Sequence, residues 1–173
     1  MKNAIISYLG ENKPNLITSI TTLLTELKGQ FSGVTFATLG RGCELTMVYN
    51  YPESLSIERI KKDLNNLNSS KDGEFTVKPF ELNTEAGPTT KITHRIILSG
   101  EDQSGLLHNI ISTLDQNSAV IVRMNTEKIT FPESTQYIAR FAIAVREENA
   151  PKCLSEIVKV AGQMKLTFRY ETS

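Results

Sequence analysis

The sequence predicts an α+β fold made of two copies of one βαββαβ unit, each an antiparallel four-stranded sheet with two helices on one face. Three observations lead there. A shift of 90 residues lays Ile6 over Ile96, Gly10 over Gly100, Glu11 over Glu101, Leu16 over Leu106, Ile20 over Ile110 and Leu24 over Leu114. These are six identities across positions 6–24, where chance supplies about one. A shift of 97 lays Ile57, Ile60, Leu64 and Leu67 over Leu154, Ile157, Ala161 and Met164, and the 3-4-3 spacing in both is the stripe of an amphipathic helix. Finally, the apolar runs are too short for a doubly wound parallel sheet, which favours split βαβ units with an antiparallel sheet. The offset grows by seven between the two alignments, and Thr130–Ser134 is the expected place for the extra residues.

Each element has a local reason. In the first copy, Ile-rich Ala4–Leu9 reads as a strand. Pro14–Lys28 reads as a helix, with Pro14 in the first turn, where its missing N–H costs little. Asn12 is the expected N-cap, accepting an orphan backbone N–H, and Gly29 the expected C-cap. Val34–Leu39 and Cys43–Tyr51 flank Gly40-Arg41-Gly42, a hairpin signal. Ser56–Leu67 is the second helix and Glu74–Leu82 the last strand, where Pro79 calls for an edge position or a bulge. The second copy repeats the order. Its elements are a strand at Ile92–Ser99, a helix over Gln103–Gln116 capped by Asp102, and hairpin strands near Ala119–Ile129 and Gln136–Arg146. A helix at Ala150–Gln163 with Pro151 in its first turn and a strand at Lys165–Glu171 complete it. The expected domains are 1–82 and 92–173, joined by a polar, Gly/Pro-bearing linker at 83–91.

Composition bounds the function. The 173 residues carry 19 basic and 19 acidic side chains, and 39% are hydrophobic, enough for packed cores and too many for general disorder. Residues 1–90 hold 9 basic and 10 acidic groups and residues 91–173 hold 10 and 9, so neither half is a basic domain of the kind that grips a phosphate backbone. No apolar run approaches the roughly 18 residues of a membrane span. The N-terminal segment has neither a long apolar core nor a small-residue cleavage site, and the expected location is cytoplasmic. Cys43 and Cys153 lie 110 residues apart without a CxxC partner, and with His94 and His108 they show no metal-ligand spacing. No metal, cofactor or catalytic residue is expected.

The informative residues are Gly10-Glu11-Asn12-Lys13-Pro14-Asn15-Leu16 and Gly100-Glu101-Asp102-Gln103-Ser104-Gly105-Leu106. Both segments join a strand to a helix, where unpaired backbone N–H groups meet the positive end of the helix dipole. A small anion such as an amino-acid carboxylate can accept from those groups, and Asn12 or Asp102 can take the ammonium. The same residues also suit a plain capped turn. They resemble the turn of the ferredoxin-like ACT domain, whose pattern is Asp or Asn, two residues, Gly, then an aliphatic residue. Asp102-Gln103-Ser104-Gly105-Leu106 fits, and Asn12-Lys13-Pro14-Asn15-Leu16 fits except for Asn15 in place of Gly.

A chain of two ACT-like units is similar to the glycine cleavage system transcriptional repressor family. The resemblance implies a non-enzymatic regulator that senses a small amino acid, glycine in that family. It implies action through a protein partner such as a transcription activator, without direct contact to nucleic acid or membrane; a homodimer is compatible with it. It also implies ligand binding at an interface near the turn, through Asn12, Asn15 and Leu16 in the first copy and Asp102, Gly105 and Leu106 in the second. The alternative is an ACT-type interaction module whose ligand site no longer functions.

Other features point to less. No Gly-x-Ser-x-Gly elbow accompanies Ser99 or Ser104, so catalysis by His94 or His108 lacks a nucleophile. The RNA-recognition motif shares the βαββαβ order but needs aromatics on its third strand, where Arg41-Gly42-Cys43-Glu44 stands here; Tyr49 and Tyr51 come later. Lys61-Lys62, next to Glu58 and Asp63, reads as a solvated helix face.

Overall fold

The computed structural model describes residues 1–81 and 91–173. The chain divides into two compact units, Met1–Asn83 and Thr84–Ser173. Apart from Lys91, the expected linker lies outside the described residues, as does the expected strand end at Leu82. Among the described residues no helix is long and apolar enough to cross a membrane.

The first unit runs β1 (Lys2–Glu11), α1 (Leu16–Glu26), β2 (Gln30–Leu39), β3 (Gly42–Tyr51), α2 (Ile57–Asn65), a 3₁₀ turn (Asn68–Ser70) and β4 (Gly73–Pro79). The second runs β5 (His94–Glu101), α3 (Leu106–Gln116), β6 (Val120–Thr130), β7 (Thr135–Ala144), α4 (Ala150–Gln163) and β8 (Thr167–Thr172). The sheet orders are β2-β3-β1-β4 and β6-β7-β5-β8, with every neighbouring pair antiparallel. Each unit is therefore a split βαβ unit of the expected α+β class. Pro79 closes β4 at a sheet edge, where a strand can spare a donor.

Alternation along the central strand puts Ala4, Ile6 and Tyr8 into the first core. There they meet Leu16, Ile20 and Leu24 of α1 and Ile60 and Leu64 of α2. The second core repeats this with Ile96 and Leu98, then Leu106, Ile110 and Leu114, then Ile157 and Ala161. The two helical stripes of each copy thus cover the same sheet face. Both sheets carry a register shift at the same place, Phe31/Gly33 in β2 and Ile121/Arg123 in β6, which keeps the 90-residue correspondence.

The extra residues do not all sit at Thr130–Ser134. Leu39 pairs with Gly42 around residues 40–41, whereas Ile129 pairs with Gln136 around residues 130–135, so the second tip holds four more. The other three lie between Tyr51–Ile57 and its counterpart Val145–Leu154, where α4 begins earlier along its stripe than α2. After the helices the difference partly reverses. The first unit takes 11 steps from Leu64 to Phe75 through its 3₁₀ turn, and the second 7 from Ala161 to Phe168.

Gly29 does not cap α1 as expected. Lys28 takes the left-handed conformation (φ 60°), while the Gly29 N–H reaches Leu24 C=O and the Lys28 N–H reaches Thr25 C=O. This is a Schellman ending. Ser118-Ala119 and Lys165-Leu166 repeat it behind α3 and α4. Gly29 serves packing instead, since a Cβ there would overlap the Tyr49 ring. That ring is 0% exposed and its hydroxyl donates to Leu24 C=O at 2.7 Å, so it has no room to yield.

Two outcomes follow for stability. Gly29→Ala lowers the unfolding free energy by about 1–3 kcal/mol through overpacking, read from urea denaturation. Burial is also the main cause pushing the phenols of Tyr8, Tyr49 and Tyr51 above the ordinary value of 10.0. The unfolded chain therefore loses these protons first, and stability present below that value falls as pH rises through it. The urea midpoint drops between about pH 9 and 11, and less steeply in Tyr49→Phe.

Candidate functional site

Both singled-out turns leave the end of the central strand and enter a helix within four residues. In the first, the Asn12 N–H donates to Arg41 C=O at 3.1 Å, the Lys13 N–H to Glu11 C=O at 3.1 Å and the Leu16 N–H to Lys13 C=O at 3.2 Å. Asn15 then turns left-handed (φ 64°, ψ 6°), and the first full helical bond is Ser19 N–H to Asn15 C=O at 2.8 Å. The second turn repeats the path. Asp102 N–H donates to Thr135 C=O at 3.2 Å, Leu106 N–H to Gln103 C=O at 3.3 Å, and Gly105 (φ 79°) precedes the bond from Asn109 N–H to its own C=O at 2.9 Å.

Asn12 and Asp102 do not cap the helices as expected. Asn15 and Gly105 occupy the cap positions of α1 and α3, and neither uses a side-chain cap bond. Asn12 and Asp102 stand three residues earlier, because the tight Lys13–Leu16 and Gln103–Leu106 bonds insert another bend before the helix starts. Asn15 keeps the left-handed backbone that Gly105 has, as Asn is among the few side-chain-bearing residues that tolerate it. A Cβ at Gly105 would meet only Asn109 Nδ2 at 4.0 Å, so the space around this position is open.

This geometry leaves donors free. Among the described residues, the N–H groups of Asn15, Ile17 and Thr18 have no protein acceptor, and neither do those of Gly105, Leu107 and His108. Asn12, Asn15, Asp102 and Gly105 are exposed. Leu16 and Leu106 point the other way, 1% and 3% exposed, and anchor each turn in its core.

Position 13 and its counterpart 103 do one job with different chemistry. Lys13 forms an ion pair with Asp72, just ahead of β4, and lies 3.8 Å from Glu11. The Asp72 carboxylate beside it holds the Lys13 ammonium above its usual value. Gln103 Nε2 donates to Met164 C=O at 2.7 Å, just behind α4. Each turn is thereby tied to the approach of the last strand. Sequence alone carried no signal for these ties. Nor did it signal the ion pair between Asp102 and Lys128 of β6, at 2.5 Å.

The remaining candidates form no catalytic or metal-binding cluster at the turns, although His108 lies in the first turn of α3. His94 is buried with Nδ1 3.0 Å from Thr93 Oγ1, and exposed His108 has Nε2 3.5 Å from Ser112 Oγ. No group of three or more His, Cys, Asp or Glu is placed to hold a metal among the described residues. Cys43 and Cys153 are buried free thiols, pushed up by burial, and a thiol so held is a poor nucleophile. Tyr49 and Tyr51, 0% and 4% exposed, pack into the core and offer no stacking platform. Lys61 and Lys62 face solvent.

Fold and turns together define the class: a chain of two ferredoxin-type βαββαβ units, each with the same strand-to-helix turn. No family model matches the chain, and no curated protein matches it in sequence. Solved structures do match it over nearly its whole length. An unknown protein from Galdieria sulphuraria is 13% identical with a TM-score of 0.77, covering 99% of this chain and 98% of that one. A protein provisionally assigned as a glycine cleavage system transcriptional repressor is 16% identical with a TM-score of 0.72, covering 99% and 97%. At these identities the likeness establishes the tandem fold.

The left-handed positions are tested by substitution. Gly105→Ala costs about 1–2 kcal/mol of unfolding free energy, whereas Asn15→Gly changes it by less than about 1 kcal/mol, both read from urea midpoints.

Proposed function

We propose that this protein is a non-enzymatic regulator that senses a small amino acid at its turns and controls transcription through a protein partner. The two domains would be 1–82 and 92–173, joined by 83–91, and the location cytoplasmic. The observation that carries the reading is the shared turn. Two copies with few identities elsewhere keep an exposed left-handed bend, free N–H groups at a helix start, and a polar side chain three residues before it.

The roles follow from the chemistry. The free N–H groups beside Asn15 and Gly105 receive the ligand carboxylate, aided by the helix dipole. Asn12 and Asp102 take its ammonium through side-chain oxygens. Leu16 and Leu106 hold the turns from the core side. Glycine is the first ligand to test, because a neighbour in fold carries the repressor assignment. Action through a protein partner is supported by the charge, which is zero overall and within one unit of zero in each half. Ligand binding controls such a partner only by favouring one conformation over another.

Calorimetric titration with glycine, serine and the branched-chain amino acids tests this. The expected result is millimolar binding of one of them, weakened at least about tenfold in Asp102→Ala or Asn12→Ala, a loss of roughly 1.4 kcal/mol. Absence of heat with every amino acid, alongside a stable complex with a protein partner, would leave the interaction module as the correct reading.

A further inference from the structure

We infer that Lys128 is a tethered occupant of the ammonium position at the second turn, so that an amino acid binds there by exchanging its own ammonium for that of the lysine. This rests on the sensor reading above and adds a regulating residue to it.

Lys128 sits on β6 opposite Tyr137 of β7, on the hairpin arm beside the turn. Its Nζ lies 2.5 Å from Asp102 Oδ2. The lysine side chain is 56% exposed and the carboxylate side chain 32%, so the pair is open to solvent and weakly held. A primary ammonium on the Asp102 carboxylate is the same chemical group that an α-amino acid would bring. The carboxylate has lone pairs enough for both, but two ammonium groups on one carboxylate repel each other, so each weakens the other's hold.

The first unit lacks both charges. Thr38 pairs with Cys43 where Lys128 pairs with Tyr137, and Asn12 stands where Asp102 does. The lysine of the first turn, Lys13, is paired elsewhere, with Asp72. Charge therefore appears, or is missing, at both positions together. The consequence is an asymmetry between the turns. The second reads a cation against a built-in competitor and releases the Lys128 side chain when it binds, β6 staying paired with β7; the first reads through a neutral amide with no competitor.

The experiment is titration of glycine and of glycolate, which carries a hydroxyl in place of the ammonium, into the Asn12→Ala protein with and without Lys128→Met. Circular dichroism checks that this exposed substitution leaves the fold intact. Exchange predicts that Lys128→Met tightens glycine about two- to five-fold, the fold-change that suits an exposed ion pair, and leaves glycolate unchanged. In the lysine-bearing protein, added glycine also shifts the Lys128 side-chain NMR signal. Unchanged or weaker glycine binding in Lys128→Met overturns the inference while the sensor reading stands. Equal tightening of both ligands overturns it too, because that reports relief of crowding. No binding by either protein, nor by the chain with Asn12 intact, overturns the inference and the sensor reading together.

Discussion

A chain that leaves the centre of a sheet and begins a helix over the same sheet after only four connecting residues has to reverse sharply. In both units it does so through one left-handed residue, Asn15 or Gly105. Much else depends on that bend. It delays the first i→i−4 bond until Ser19 and Asn109. It sets Leu16 and Leu106 at the first core position of their helices, from which Ile20 and Leu24, or Ile110 and Leu114, follow at helical spacing. It also leaves donors pointing outward where a helix dipole is positive. Core packing and the presentation of the turn are therefore two sides of one backbone conformation.

The cores and element order were legible because they rest on periodicity. Ile6, Leu16, Ile20 and Leu24 with their partners ninety residues on mark strand and helix faces directly, and the four helical stripe positions mark α2 and α4. Helix ends were less legible. Gly29 looked like a cap by type, yet its missing side chain accommodates Tyr49, and Lys28, an ordinary residue, takes the left-handed role. Asn12 and Asp102 looked like caps for the same reason, although the tight bond three residues on moves the cap to position 15 or 105. A residue type tells what a position tolerates; tertiary neighbours decide which tolerance is used. The ties at Lys13, Gln103 and Lys128 were hidden entirely. They join residues 59, 61 and 26 positions apart and obey no local period.

The copies have diverged where the ladder is not at stake. The second unit has four more residues at a hairpin tip and three more ahead of a helical stripe, and the first has four more in its 3₁₀ turn region. None interrupts the pairing of the central strand, and the register shift on the edge strand sits at corresponding residues in both sheets. The strand-to-helix turn keeps its length as well. Side-chain chemistry changed around a conserved path, from Lys13 to Gln103 and from Asn12 to Asp102, with one bend common to both.

The ties at positions 13 and 103 bear on how small a ligand can be. A free amino acid such as glycine has only about five non-hydrogen atoms, and the best tiny ligands gain roughly 1.5 kcal/mol from each, a ceiling of about 7 kcal/mol. Ordering a loose loop of several residues costs about 1–2 kcal/mol per residue and would consume that gain. Here the loop is already fastened at its middle to the approach of the last strand. A ligand at such a turn would spend little of its binding free energy on ordering the loop, which matters most for the smallest molecules.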